Sequence, residues 1–123
     1  MSEDRHFSPV ATFSGLRGVP LVALSRNSLY PSLIVGSDSV TIRVVRRHRL
    51  PFGDIREVTV RWRLAHQLTL VPKRGLRTFS ANFIAKEDIV HAVRALEQRG
   101  VALDAAAAGL LKTDATPPIN GGL

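Results

Sequence analysis

The chain of 123 residues has the commonest size of a single domain and carries 17 Lys and Arg against 10 Asp and Glu, a net charge of +7. It has no cysteine, which excludes disulfides, thiolate nucleophiles and cysteine-based metal sites and favours a reducing, cytoplasmic setting. No apolar run reaches the ~18 residues typical of a membrane span, and Glu3 and Asp4 stand where a signal peptide is basic. These features predict a soluble protein with no transmembrane segment.

The N-terminal residues 1–18 show weak periodicity and are punctuated by Pro9, Gly15 and Gly18. This pattern predicts a loosely ordered N-terminal segment. Periodic segments begin after it, and we expect one folded domain over residues 19–103.

A β-hairpin is predicted near the middle of the chain. Residues 33–35 form a short apolar run, and the small polar residues 36–39 are typical of a tight turn. Val40, Ile42 and Val44 then alternate with polar residues, the period that places one face of a strand on a core.

The clearest strand pattern covers residues 57–64. One parity holds the apolar residues Val58, Val60, Trp62 and Leu64, and the other holds Glu57, Thr59, Arg61 and Arg63. Parity predicts Trp62 as a core anchor, while its position between two arginines leaves an exposed stacking platform for nucleic-acid bases as the alternative. Residues 68–71 and 78–83 also alternate, with Pro72 and Gly75 between them, which predicts consecutive antiparallel strands.

An amphipathic helix is predicted over residues 86–99. Ile89, Val93 and Leu96 recur at i, i+4 and i+7, and Gly100 is a typical left-handed helix stop. The following residues 104–123 are rich in Ala, Pro and Gly, which predicts a flexible C-terminal tail.

The segments LIVGSDSVTIR and RLPFGDIREVTV carry a family resemblance, with Phe52, Asp54 and Ile55 leading into the strand at Val58. This pattern resembles the pleckstrin-homology-like (PH-like) superfold, in particular small bacterial PH-like domains. The resemblance covers residues 19–103 and implies a mainly β fold with one C-terminal α-helix. The implied architecture is a bent antiparallel sheet of six or seven strands, or a partly open barrel, capped by that helix.

Signatures of catalysis, cofactors and metals are missing from the sequence. No GxGxxG, GxxxxGK[ST], HExxH or GxSxG pattern occurs, and the four histidines are scattered. Glu87 and His91 stand at i, i+4 and are interpreted as a solvated helix pair rather than metal ligands, while His48 and Asp54 have no evident nucleophile near them. We therefore expect no enzymatic activity, no cofactor and no bound metal.

Basic residues concentrate between positions 43 and 77, where ten Lys or Arg stand against two acids. The outward parity of strand arginines accounts for part of this excess, but two blocks remain unexplained. The six residues of these blocks are Arg46, Arg47, Arg49, Lys73, Arg74 and Arg77. We expect them to form one surface that binds an anion or an acidic partner, with a merely solvated basic surface as the alternative.

Together these features predict a non-enzymatic PH-like interaction module that binds a protein partner or self-associates. The alternative function is weak, sequence-independent binding of nucleic acid or anionic membrane lipid through the arginine-rich surface.

Overall fold

The structure, a computed structural model, describes residues 4–16, 19–27, 31–44, 46–62 and 66–115. The strands within these residues are β1 (Arg5–Phe7), β2 (Ala11–Leu16), β3 (Val19–Asn27), β4 (Ser32–Val35), β5 (Ser39–Val44), β6 (Arg46–Pro51), β7 (Ile55–Trp62), β8 (His66–Pro72) and β9 (Arg77–Phe83). Two helices follow the strands, α1 (Lys86–Gln98) and α2 (Ala105–Ala115), and a short 3-10 turn, Phe52–Asp54, joins β6 to β7.

The strands form two antiparallel sheets. Sheet A has the order β1-β4-β5-β6, and sheet B has the order β3-β2-β9-β8-β7. Neither sheet closes into a barrel within the described strands, so the mainly β, open antiparallel architecture capped by a helix is confirmed. The structure has more strands than the six or seven expected, and it has a second helix.

The predicted hairpin is formed by β4 and β5. Val35 lies opposite Val40, and the Gly36 N–H donates to the Ser39 carbonyl at 2.9 Å across the turn. The apolar parity of β5 faces the core, since Val40, Ile42 and Val44 are all buried. Period-two patterning therefore identified both the strand and its inner face.

The core lies between the two sheets and α1. The predicted inward residues of the later elements are all buried: Leu68, Leu70, Phe79, Ala81, Phe83, Ile89, Val93 and Leu96. Burial of a large apolar side chain contributes about 1.5–3 kcal/mol, so this cluster supplies much of the driving force for folding. Helix α1 ends as predicted, because Gly100 adopts a φ of +84° that favours glycine.

The N-terminal segment differs from the loosely ordered one expected. Strand β2 lies inside sheet B between β3 and β9, and it buries Ala11, Thr12 and Ser14. The Thr12 hydroxyl donates to the Arg43 carbonyl of β5 and so links the two sheets. This strand is held by backbone pairing on both sides. Because its inward residues are small or polar, the sequence shows no alternation of hydrophobic and polar residues there.

The C-terminal segment also differs from the flexible tail expected over residues 104–123. Its first part forms α2, where the Asp104 carboxylate accepts a hydrogen bond from the Ala107 N–H at 2.9 Å. Ala107 and Leu111 are buried, so a narrow apolar stripe docks an alanine-rich helix of high intrinsic propensity. Residues 116–123 lie outside the described part of the chain. Among the described helices, none is long and apolar enough to cross a membrane.

Candidate functional site

Strand β6 is an edge strand of sheet A. It pairs with β5, and within the described residues no other strand pairs with its opposite side, which we call the open edge. The edge strand β7 of sheet B is covered, because Val58 exchanges hydrogen bonds of 2.9 Å with the Ala102 carbonyl and the Asp104 N–H. The N–H and C=O groups along the open edge are therefore available to another strand, as are those on the outer sides of the edge strands β1 and β3.

The two faces of β6 have different chemistry. Leu50 and His48 lie opposite the buried Val40 and Ile42 of β5, so they share the inner face and are half-buried. The outer face carries Arg47 and Arg49, and both are exposed, as is Arg46 at the start of the strand. Strand β6 thus presents Arg47 and Arg49 outward, while Arg46 lies opposite the buried Val44 on the same face as His48 and Leu50.

Arg49 has an acidic neighbour that the linear sequence did not show. The β5–β6 pairing brings Asp38 to it, and Arg49 Nη2 lies 3.1 Å from Asp38 Oδ2. Both side chains are largely exposed, at 59% and 73%, so this ion pair contributes at most about 1 kcal/mol.

The second basic block lies around the turn between β8 and β9. Arg77 donates from Nη2 to the buried Ser14 hydroxyl at 3.2 Å, and its guanidinium lies 5.2 Å from the Phe79 ring centroid. Lys73 and Arg74 are exposed in the turn, and the Lys73 N–H donates to the Asp54 carbonyl at 2.9 Å. This turn therefore lies beside the connection between β6 and β7.

His48 marks the point where the two basic blocks meet. Its ring packs 4.9 Å from that of Phe79, and its Nε2 is buried with no hydrogen-bond partner among the described residues. Burial lowers the pKa of His48, Arg77 and Arg46 lower it further by charge repulsion, and a hydrogen bond with the Val44 backbone raises it. The Arg77 guanidinium and the His48 ring thus both lie against Phe79, and Arg46 shares the inner face of β6 with His48.

The structure does not bring all six predicted residues to one such point. Arg47 and Arg49 project from the face of β6 opposite His48, and Lys73 and Arg74 lie near the far end of the strand. One continuous surface formed by all six side chains stays a prediction.

Trp62 corrects the sequence interpretation. It was predicted as a core anchor, but its side chain is 69% exposed. The parity was informative, since Trp62 and Val60 line the same cleft between β7 and the helices. Burial fades along β7, from 0% exposure at Val58 to exposed Arg61 and Trp62, because the strand extends past the helices that cover its middle.

This cleft was missed by sequence reasoning. It has a volume of about 310 Å³, and its lining combines Trp62 and His66 of sheet B with Ile89 of α1 and Leu110 of α2. Arg61 and Lys86 add two cations to the lining. In the sequence, the cleft was indicated by a tryptophan with an arginine on each side. The side of the cleft formed by α2 could not be predicted, because the sequence did not predict this helix.

Within the described residues, no group of three or more His, Asp or Glu side chains could hold a metal ion. Comparison with known proteins found no matching family model and no match among curated proteins. The candidate sites therefore depend on geometry and charge alone.

Proposed function

We propose that this domain is a non-enzymatic interaction module that binds an extended acidic segment of a protein partner along β6. The observation that carries this proposal is that β6 pairs on one side and carries three exposed arginines. An added strand gains affinity from backbone hydrogen bonds, and the arginines favour a segment of opposite charge.

The alternation of β6 sets the chemistry of the partner segment. Outward Arg47 and Arg49 favour carboxylates at every second position of an added strand. Inward His48 and Leu50 are half-buried, so apolar residues at the intervening positions extend the core by one row. The preferred segment therefore alternates acidic and apolar residues.

The same charges favour a different protein over a second copy of this chain. Pairing two β6 strands places arginines of one copy beside arginines of the other, and like charges across a strand pair are destabilising. A homo-oligomer is the less favoured form of the proposed interaction.

Two sequence features support this role. Antiparallel strands followed by an amphipathic helix agree with the PH-like resemblance, which implies an interaction module. The absence of cysteine supports a reducing, cytoplasmic setting.

Three capped peptides of six residues, the length of β6, test the proposal by isothermal titration calorimetry. The first alternates glutamate with valine, the second replaces valine by proline, and the third replaces glutamate by lysine. We expect binding of the first alone, because proline has no N–H for a strand ladder and lysine repels the arginines. Equal binding of both glutamate peptides would contradict strand addition.

A matched pair of variants locates the binding. Arg47→Glu reverses an exposed charge on β6, and Arg56→Glu reverses an exposed charge on the covered strand β7. We expect Arg47→Glu to weaken binding of the glutamate–valine peptide by about tenfold or more, equivalent to about 1.4 kcal/mol, and Arg56→Glu to change it little. Equal losses in the two variants would point to net charge instead.

A second candidate function is weak binding of polyanions, either nucleic acid or anionic lipid. Arg77 and His48 both lie against the Phe79 ring, and Arg46 shares a face of β6 with His48, so the positive charge of this corner would attract a phosphate. The expected signature is steep salt dependence without sequence preference. Titration of double-stranded DNA and of vesicles containing phosphatidylserine at two salt concentrations measures it, with Arg46→Glu and Arg77→Glu combined as the test variant.

A further inference from the structure

The cleft beside Trp62 lies on sheet B and is built from four elements, β7, β8, α1 and α2. Trp62 lies opposite His66 in the strand register, and the two rings meet edge to face with centroids 6.1 Å apart. Helix α1 contributes Ile89 and α2 contributes Leu110. The resulting volume of about 310 Å³ is at the lower end of the range typical of ligand sites.

The cleft combines an apolar interior with positive charge. Ile89 is buried and Leu110 is half-buried, which gives an apolar wall. Arg61 and Lys86 are the charged members of the lining, and no acidic residue is among the lining residues. Lys86 is the first residue of α1, at the positive end of the helix dipole, and the exposed Glu87 and Asp88 of the same turn offset part of this positive potential.

We propose that this cleft is a second binding site, which takes a large apolar side chain flanked by carboxylates on a segment of a protein partner. The apolar side chain occupies the space between Trp62 and the helices, and the carboxylates pair with Arg61 and Lys86. Exposed tryptophan beside a preformed apolar cavity is typical of the residues that dominate interface energetics. A basic segment is excluded by charge, because its positive side chains would face Arg61 and Lys86.

Trp62 is also the reporter for the test, because it is the only tryptophan in the chain. The probe is a capped peptide with one phenylalanine flanked by two acidic residues on each side. We expect it to shift the tryptophan emission to shorter wavelength and to saturate, because the peptide removes water from the indole. Analogues with alanine in place of phenylalanine, or with lysine in place of the acids, should leave the emission unchanged. An absent shift, or an equal shift with the alanine analogue, would overturn the proposal.

Two leucine substitutions on α2 separate blocking of the cleft from a general effect on the helix. Gly109 lines the cleft, and a Cβ there meets no atom within 4 Å, so Gly109→Leu fills the space without strain. Ala108→Leu places the same side chain at an exposed position outside the lining. We expect Gly109→Leu to weaken peptide binding by about tenfold or more and Ala108→Leu to leave it unchanged. Equal binding by both variants would overturn the proposal.

Charge-reversal variants of the lining residues test the proposal independently. Arg61→Glu combined with Lys86→Glu should abolish the emission shift, while Arg74→Glu in the β8–β9 turn should not. Emission that changes with protein concentration alone would assign the cleft to a second copy of this chain. Emission that changes only when residues 116–123 are removed would assign it to the chain's own C-terminal segment. Either result would overturn the proposal for the cleft. The proposed function of β6 is tested separately, by the glutamate–valine peptide and its two analogues.

Discussion

The edge strands β6 and β7 differ in what covers their outer sides. Val58 of β7 exchanges backbone hydrogen bonds with the segment that leads into α2, and the helix packs over the strand. Strand β6 has no such cover among the described residues and carries arginines instead. One edge is closed by the chain's own backbone, and the other is protected from self-pairing by charge.

This difference separates stability from recognition. Closure of the β7 edge buries apolar groups of α2 and adds to the free energy of unfolding. Charge along the open edge of β6 adds little to stability, and in the proposed function it discriminates between partner strands. Changes near β7 should therefore act on folding, and changes on β6 should act on binding.

The largest expected effect comes from uncovering β7. Leu111 of α2 is 6% exposed and packs into the core, so Leu111→Ala should lower the free energy of unfolding by about 2–5 kcal/mol. Urea denaturation measures the loss, and faster hydrogen exchange at the Val58 amide would show that the cover has loosened. A loss below 1 kcal/mol would mean that α2 is not part of the folded core.

A smaller effect is expected at the start of α2. Asp104→Ala removes the side-chain acceptor of the Ala107 N–H and should cost about 0.5–2 kcal/mol. Asp104→Asn keeps an acceptor and serves as the control, and we expect it to retain most of the stability. Identical losses in the two variants would show that the carboxylate charge, rather than the cap, is what matters.

Acid should weaken the contact between β6 and sheet B. The pKa of His48 is lowered from its ordinary value of 6.5 by burial and by Arg77 and Arg46, so the unfolded chain binds the proton more readily. The stability from neutral His48 is therefore fully present above about pH 6.5 and is lost as the pH falls through the lowered value. Unfolding in urea at pH 8 and pH 5 measures this loss, which His48→Gln should reduce.

The smallest stability effect is expected on β6 itself. Asp38→Asn breaks the exposed ion pair with Arg49 and should change the free energy of unfolding by less than about 1 kcal/mol. The freed arginine should bind the glutamate–valine peptide a few-fold more tightly. Weaker peptide binding in this variant would contradict the role assigned to Arg49.

Periodicity predicted the elements whose burial follows a regular pattern. The hairpin around residues 36–39, the apolar faces of β8 and β9, and α1 all agree with the structure. Strand β2 escaped prediction because its inward residues, among them Ser14, are small or polar and its position depends on long-range pairing. Helix α2 was not predicted because its alanine-rich composition resembles that of a flexible tail. The docking of Leu111, which distinguishes a packed helix from a tail, is visible only in the structure.

The candidate sites were less predictable than the fold. Sequence located the basic blocks, but only the structure shows that Arg49 meets Asp38 and that Arg77 and His48 both lie against Phe79. Trp62 shows the limit of parity, which gives the face of a strand but not how far the neighbouring helices cover it.

Hydrogen exchange measured residue by residue by NMR tests the central claim most directly. Titration with the glutamate–valine peptide should slow exchange at those amides of residues 46–50 that point away from β5, while the Val58 amide stays as protected as before. Such a pattern would show a new strand on the open edge. Peptide binding that leaves every β6 amide unchanged would contradict the account.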